Sequence, residues 1–100
     1  MIVTTLGAQG SVCCYRRGGE IVVEEIAAAT FGPVVDTTGS GDAFIAGFLY
    51  GYLAGKTVRE CGELGSVLAS FIIERPGGCT NAPTEAEFLE RYAQFISRRQ

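Results

Sequence analysis

Residues 36–42 read D-T-T-G-S-G-D and are the most informative stretch of the 100-residue sequence. Small residues at Gly39, Ser40 and Gly41 precede an apolar segment that predicts a buried helix from about Asp42 to Ala54. The first amides of a helix lack intrahelical acceptors, and the helix dipole adds roughly half a positive charge there. Because glycine leaves the backbone open to close approach, we predict an anion hole at residues 39–41.

Asp42 stands at the head of the predicted helix, next to that anion hole. A carboxylate there can take a proton from a substrate hydroxyl while neighbouring amides hold a transferring phosphoryl group. The competing interpretation is structural, since Asp is a favoured residue at helix N-termini and glycine-rich turns often precede helices. No G-K-[S/T] follows this turn directly, which excludes a Walker A loop here, and no G-x-G-x-x-G occurs, which excludes a dinucleotide fingerprint.

The segments before this motif predict β-structure. Residues 2–6, 11–15 and 20–26 are rich in β-branched and apolar residues, with Gly18-Gly19 at a hairpin tip. Closely spaced strands joined by a hairpin predict antiparallel pairing at this end of the chain. Residues 34–35, Val-Val, predict a further strand, parallel to its neighbours, that leads into Asp36.

The segments after the motif predict helices around a loop. Gly47 and Gly51, spaced four apart, predict close packing of the first helix against a neighbour, and its apolar residues predict burial on several sides. Capping boxes at 57–60 and 84–87 open two further helices, the first running to about residue 73. Residues 74–83 carry loop signals throughout.

Composition excludes several classes of protein. The net charge of −3 and the lack of a Lys/Arg run argue against a nucleic-acid partner. No apolar run reaches the roughly 20 residues of a membrane span, and no signal peptide is recognised, so a cytoplasmic protein is expected. The four cysteines form no C-x-x-C pair and there is no His, which favours free thiols over a zinc site.

A family resemblance adds to this interpretation. Residues 35–48 resemble the C-terminal signature of ribokinase-like (PfkB) sugar and nucleoside kinases. Residues 5–10, T-L-G-A-Q-G, are similar to that family's nucleotide segment, and residues 72–78, I-I-E-R-P-G-G, to its loop around adenine and a monovalent cation. The resemblance implies an α/β fold in which residues 1–100 form the C-terminal portion of a three-layer α/β/α sandwich, with an antiparallel hairpin at the sheet edge.

The resemblance also assigns roles to individual residues. Asp42 would be the catalytic base, and the anion-hole amides would come from Gly39, Ser40 and Gly41. The residues expected to bind ATP are Thr5, Leu6, Gly7, Ala8, Gln9, Gly10, Gly41, Asp42 and Ser66. The oxygen ligands expected for K⁺ are the Asp36 carboxylate, the carbonyls of Thr38, Ile72, Arg75 and Gly77, and the side chain of Asn81. Ser66 stands where the family usually has Asn or His, and Asn81 where it usually has Ser or a similar residue.

The implied activity is ATP- and Mg²⁺-dependent phosphotransfer to an alcohol of a sugar or nucleoside, and residues 75–80 with Pro83 look somewhat like adenosine kinases. The family's substrate and lid half, and the acids that hold Mg²⁺, have no counterpart in this sequence. One alternative is a truncated, non-catalytic fragment that binds nucleotide or anion and needs a partner chain, whether a second copy or the absent N-terminal half. Another is a generic anion-binding module. The isolated chain is expected to self-associate and to be inactive.

Overall fold

The computed structural model describes residues 1–98, apart from the side chain of Cys79, which lies outside the described part together with the thiol predicted for it. An antiparallel sheet in the order β1-β2-β3 is followed by helices α1, α2 and α3. The elements are β1 Ile2–Thr5, β2 Ser11–Arg17, β3 Glu20–Ile26, α1 Ser40–Leu53, α2 Val58–Ile72 and α3 Glu85–Ser97, with short 3₁₀ turns at Gly7–Gln9 and Gly78–Asn81.

The hairpin between β2 and β3 turns at the predicted glycine pair. Gly18 and Gly19 have φ values of 56° and 86°, and Arg17 pairs directly with Glu20. Two consecutive positive φ angles are what a two-residue type I′ turn requires, and only glycine adopts both without strain. Because so short a turn allows pairing up to its edge, β2 extends to Arg17, two residues beyond the predicted end.

The strand predicted at residues 34–35 does not form. All strands within residues 1–98 are antiparallel, and Val34 and Val35 lie exposed outside the sheet. The amides of Val35 and Asp36 instead donate to the carbonyl oxygen of Ile73, at 2.7 and 3.1 Å. A β-branched pair favours extended backbone, but a strand also needs a neighbour along its edge, and the described residues supply none.

Helices α1 and α2 pack backbone against backbone, as the glycine spacing predicts. A Cβ atom added to Gly47 would lie 2.6 Å from Leu64 O, and one added to Gly65 would lie 2.7 Å from Phe44 O. On the other side of α2, a Cβ atom added to Gly62 would come similarly close to the Ile26 side chain of β3. Helix α2 is therefore the central element, held between the sheet, α1 and α3.

The prediction that α1 is buried on several sides is wrong for this chain. Its buried residues form the single face that meets α2, and they are Ala43, Phe44, Gly47, Phe48 and Gly51. On the opposite face Ile45 is 56% exposed and Leu53 84% exposed. A face this apolar is normally covered by another layer, and the packing elements available within residues 1–98 do not reach it.

Both predicted capping boxes are confirmed. In α2 the Thr57 hydroxyl accepts from the Glu60 amide while the Glu60 carboxylate accepts from the Thr57 amide. Thr84 and Glu87 make the same pair of bonds at the start of α3. No helix within residues 1–98 combines the length and the apolar character needed to cross a membrane.

Candidate functional site

The N-terminus of α1 differs from those of α2 and α3 because no side chain caps it. Gly39 occupies the N-cap with φ 81° and ψ 0°, a left-handed conformation that favours glycine. The Ser40 amide donates to Thr37 O at 3.1 Å, within the turn. Within residues 1–98 the amides of Gly41 and Asp42 donate to no protein acceptor. Two of the first-turn donors therefore remain available to an anion, and the amide of Ser40 is already engaged.

A cavity of about 230 Å³ opens beside this helix start. It lies between the turn after β1, the connector after β3, the first turn of α1 and the middle of α2. The predicted site residues that line it are Thr5, Gly7, Ala8, Gly10, Ser40, Gly41 and Ser66. The structure thus brings the nucleotide-like segment, the glycine-rich turn and Ser66 to one place.

Other predicted site residues lie outside the cavity lining, namely Leu6, Gln9, Gly39 and Asp42. Asp42 follows Gly41 directly and is exposed at the start of α1. In the described part of the chain its carboxylate makes no hydrogen bond or ion pair, so no internal contact holds it away from a bound molecule.

The turn between β1 and β2 is shaped by two glycines. Gly10 has φ 92°, and a side chain there would collide with the Ile26 carbonyl at the end of β3. Its own carbonyl accepts from the Leu6 amide at 2.7 Å, which closes the turn. Gly7 has φ 60° with open space where a Cβ would stand. Gly10 therefore fixes the turn against the sheet, and Gly7 exposes backbone at the cavity.

Sequence reasoning missed the rest of the cavity lining, since most of these side chains are small or apolar and carry no distinctive chemistry. The missed residues are Ala28, Ala29, Thr30, Val34, Thr37, Phe44, Ala69, Ser70 and Ile73. One available signal was the run of small residues at 27–30 directly after β3. Another was the spacing of Ser66, Ala69 and Ser70, which places small side chains on one face of α2.

Asp36 braces the turn that leads into α1. Its Oδ1 accepts from the Thr38 amide at 2.9 Å. Hydrogen bonds from the side chain and backbone of Thr38, and more weakly from the backbone of Gly77, lower the pKa of this carboxyl below its ordinary value. The carboxylate therefore stays ionised near neutral pH and ties residues 36–38 to the loop after α2.

Three of the four carbonyls predicted to bind K⁺, those of Ile72, Arg75 and Gly77, already accept hydrogen bonds. Asn81 Nδ2 lies 3.3 Å from Ile72 O, 2.8 Å from Arg75 O and 3.2 Å from Pro76 O. Gly77 O accepts from both the hydroxyl and the amide of Thr80, at 2.9 and 3.2 Å. With an amide nitrogen among these oxygens, this arrangement does not fit a cation. The described residues also contain no cluster of three or more His, Cys, Asp or Glu side chains suited to a metal.

Comparison with known proteins gives a consistent family. The model of the pfkB family carbohydrate kinases matches residues 1–85. An uncharacterized sugar kinase of Archaeoglobus fulgidus is 42% identical over 88 residues, covering 87% of this chain and 33% of that protein. A nucleoside kinase of Methanocaldococcus jannaschii is 40% identical over 90 residues, covering 90% of this chain and 28% of that protein. The chain thus spans about a third or less of these relatives' length.

Solved structures agree with the predicted fold class. The Burkholderia thailandensis nucleoside kinase in complex with inosine superposes with a TM-score of 0.85 at 35% identity, covering 98% of this chain and 32% of that one. The M. jannaschii nucleoside kinase, a member of the ribokinase family, gives a TM-score of 0.78 at 37% identity, covering 92% of this chain and 29% of that one. The α/β fold predicted as the C-terminal portion of a ribokinase-like sandwich is confirmed.

Proposed function

Because the chain belongs to the pfkB family of carbohydrate kinases, we propose that residues 1–100 form the ATP-facing, phosphoryl-transferring part of a sugar or nucleoside kinase. The relatives are kinases of both kinds, and several are named nucleoside kinases. The complete enzyme transfers the γ-phosphoryl group of ATP to an alcohol of its small-molecule substrate. The remaining part of the fold supplies the lid and most of the acceptor pocket.

The observation that carries this proposal is the uncapped start of α1 at the mouth of the cavity. The amides of Gly41 and Asp42 are free of protein acceptors, and Gly41 has open space in front of it. In phosphoryl transfer, negative charge spreads over the oxygens of the migrating group, and fixed backbone donors stabilise that charge without reorganising. The same feature explains why serine, threonine or aspartate does not cap α1 in the manner of the other helices.

The reaction steps follow from this geometry. The substrate hydroxyl gives its proton to the Asp42 carboxylate as its oxygen forms a bond to the γ-phosphorus of ATP. The bond from that phosphorus to the bridging oxygen breaks, and ADP leaves with the electron pair. When bound together with ATP, Mg²⁺ would neutralise phosphate charge, and residues outside this chain would hold the ion.

The nucleotide itself is expected in the cavity. Gly7, Ala8 and Gly10 lie on its sheet side, and Ser66 lies on α2. Its volume of about 230 Å³ is below the roughly 300–1,000 Å³ usual for small-molecule sites, which suits a cleft that the rest of the fold completes. Solved relatives include a ribokinase of Arabidopsis thaliana complexed with ribose and ATP.

An alternative is supported by the exposed apolar face of α1. In that case the chain is a nucleotide- or anion-binding fragment that catalyses nothing until a partner chain covers Ile45, Leu53 and their neighbours. The two proposals differ in one measurable quantity, which is phosphotransfer by residues 1–100 alone. Turnover by the isolated, monomeric chain would rule out the requirement for a partner.

The direct test of the proposed function is Asp42→Asn in the complete enzyme. Loss of the base lowers kcat by about 10²–10⁴-fold and leaves the affinity for a non-hydrolysable ATP analogue unchanged. Glu90→Gln, an acid-to-amide change at an exposed site on α3, is the matched control and keeps the wild-type kcat. A near-normal kcat in Asp42→Asn would refute the assignment of the base.

A further inference from the structure

The loop after α2 is organised around one side-chain nitrogen. Asn81 Nδ2 donates to carbonyl oxygens of Ile72, Arg75 and Pro76 at 3.3, 2.8 and 3.2 Å. Carbonyl oxygens only accept hydrogen bonds, so without an ion between them the amide nitrogen and not Oδ1 faces them. The distances lie within or close to the ordinary range for N–H···O bonds. The two N–H donors of a single carboxamide are therefore shared among three backbone acceptors.

The position of these oxygens explains why they need a donor. Ile72 ends α2, and its carbonyl is among the last four of the helix, which have no intrahelical donor. The C-terminal end of a helix also carries roughly half a negative charge. Carbonyl oxygens grouped at such an end attract either a cation or a polarised N–H group. Asn81 supplies the second of these from within the chain.

The same loop touches the segment that carries the proposed anion hole. The carbonyl of Ile73 accepts from the amides of Val35 and Asp36. The Gly77 backbone is also close enough to the Asp36 carboxylate to help lower its pKa. A Cβ added to Gly78 would lie 3.1 Å from Thr38 O, so the two segments are in close contact. Whatever holds residues 72–81 in shape therefore also supports the turn immediately before Gly39.

We propose that the Asn81 carboxamide takes the place of a monovalent cation in this protein, so that the loop and the adjoining turn need no K⁺ to keep their shape. The structural part of this inference, that the loop needs no ion, rests only on the three carbonyl oxygens around Asn81 Nδ2. Its catalytic consequence rests on the proposed function. Asn81 acts here as a positioning residue, because its side chain does not line the cavity and acts through residues 36–38.

The rival arrangement is specific. If the carboxamide were turned over, Oδ1 would face the three carbonyl oxygens, which is repulsive unless a cation lies between them. In that arrangement Asn81 would be a ligand of K⁺, and the loop would depend on the ion. The two arrangements therefore predict opposite responses to the removal of K⁺.

The experiment measures the melting temperature and kcat of the complete polypeptide that contains residues 1–100, in KCl and in N-methyl-D-glucamine chloride at equal ionic strength. For the wild type we expect the same melting temperature and the same kcat in both salts. A melting temperature and kcat that rise together with KCl in the wild type would overturn the inference.

Asn81→Asp sharpens the test because it changes a donor into a charged acceptor of the same shape. Its carboxylate faces three carbonyl oxygens, so we expect a lower melting temperature in N-methyl-D-glucamine and recovery on addition of KCl. Asn81→Ser, which replaces the two amide N–H donors with a shorter hydroxyl and adds no charge, should likewise gain a K⁺-dependent melting temperature. Gln94→Ser, an amide-to-hydroxyl change at an exposed site on α3, is the control and should respond to neither salt.

These outcomes separate this inference from the proposed function. The melting temperatures require no turnover, so a protein that phosphorylates no sugar or nucleoside still tests the role of Asn81. If Asn81→Asp fails to fold, the wild-type comparison and Asn81→Ser decide the question. Variants of Asn81 that stay insensitive to K⁺ while the wild type responds to it would show that the ion binds elsewhere, and would refute the inference.

Discussion

Gly41 combines an amide without a protein acceptor and open space in front of its Cα. A side chain added here meets no protein atom within 4 Å, so the folded chain accommodates it. It would, however, occupy the approach to the free amides. Gly41 is therefore required for the proposed anion binding but not for folding.

Replacement of Gly41 with Val should consequently impair the enzyme without unfolding it. We expect kcat/KM for ATP to fall by about 10²-fold, comparable to the loss of one oxyanion-hole donor. The melting temperature should stay close to that of Ala46→Val, a control that places the same side chain on the exposed surface of α1. Unchanged steady-state kinetics for Gly41→Val would contradict the anion hole.

Gly47 presents the opposite case, since backbone atoms of α2 fill the space beside it. Alanine improves helix propensity by roughly 1 kcal/mol, but its Cβ would lie 2.6 Å from Leu64 O and 2.8 Å from Gly65 Cα. Because backbone cannot move aside locally, we expect Gly47→Ala to lower the free energy of unfolding by about 1–3 kcal/mol. Denaturant titration measures it, with Gly41→Ala as the unclashing control in the same helix.

At the scale of single elements, the caps determine where helices begin. Thr84 accepts from the Glu87 amide at 3.2 Å, and its own amide donates to the Glu87 carboxylate at 2.8 Å. We expect Thr84→Ala to destabilise the protein by about 1 kcal/mol, because one first-turn amide of α3 loses its partner. Thr84→Ser keeps the acceptor and should restore most of the loss. Equal stability of the alanine and serine variants would show that the cap contributes nothing to the free energy of unfolding.

The same cap predicts a dependence on pH. Hydrogen bonds from the Thr84 backbone and side chain lower the pKa of Glu87 below its ordinary value of 4.5. A carboxyl whose folded pKa is depressed stabilises the fold above its unfolded pKa, and that stabilisation is lost as pH falls through the folded pKa. Glu87→Gln cannot titrate, so the melting-temperature advantage of the wild type should shrink below about pH 4.5. A pH-independent difference between the two proteins would contradict this origin.

These elements also show what sequence could predict. The Gly18-Gly19 turn and both capping boxes follow from residues that are close in the chain, and each formed as predicted. Helix α1 begins at Ser40, two residues before its predicted start, because Gly39 turns the chain through a left-handed conformation. The pattern at 34–35 failed as a strand, since pairing depends on a neighbour that local sequence does not reveal.

In the candidate site, the residues that belong to a motif could be recognised from the sequence, whereas the residues that only shape the cavity could not. Gly41 and Ser66 stand out through a motif, whereas Ala28, Ala69 and Ile73 help to form the cavity only through their size and their position in three dimensions. The role of Asn81 as a hydrogen-bond donor could not be recognised from the sequence either. Sequence showed an oxygen and a nitrogen on one side chain, and only the surrounding carbonyls determine which of them faces inward.

At the scale of the whole molecule, two apolar surfaces have no covering layer among residues 1–98. One is the outer face of α1, where Leu53 is 84% exposed, and the other is the sheet, where Ile21 is 67% exposed. Residues 1–100 account for about a third or less of the length of their relatives. We infer that the remainder of the kinase fold, or a partner chain, covers these surfaces.

The isolated chain should therefore self-associate. We expect residues 1–100 to sediment as dimers or larger species, and the double variant Ile45→Lys, Leu53→Lys to shift toward the monomer because charged side chains oppose apolar association. Lysine at Ala27 and Ala93, exposed residues outside α1, adds the same charge and serves as the control. A strictly monomeric wild-type chain at micromolar concentration would contradict the prediction.

The Ile73 carbonyl couples the end of α2 to the segment that leads into α1. A carbonyl oxygen has two lone pairs, and here both are taken by successive amides, those of Val35 and Asp36. The C-terminal end of α2 therefore cannot shift along the helix axis without moving Val35 and Asp36, which lead into α1. The close glycine contacts between α1 and α2 hold the two helices together at a second place. We therefore expect α1, α2 and residues 35–36 to shift together as one unit when nucleotide binds.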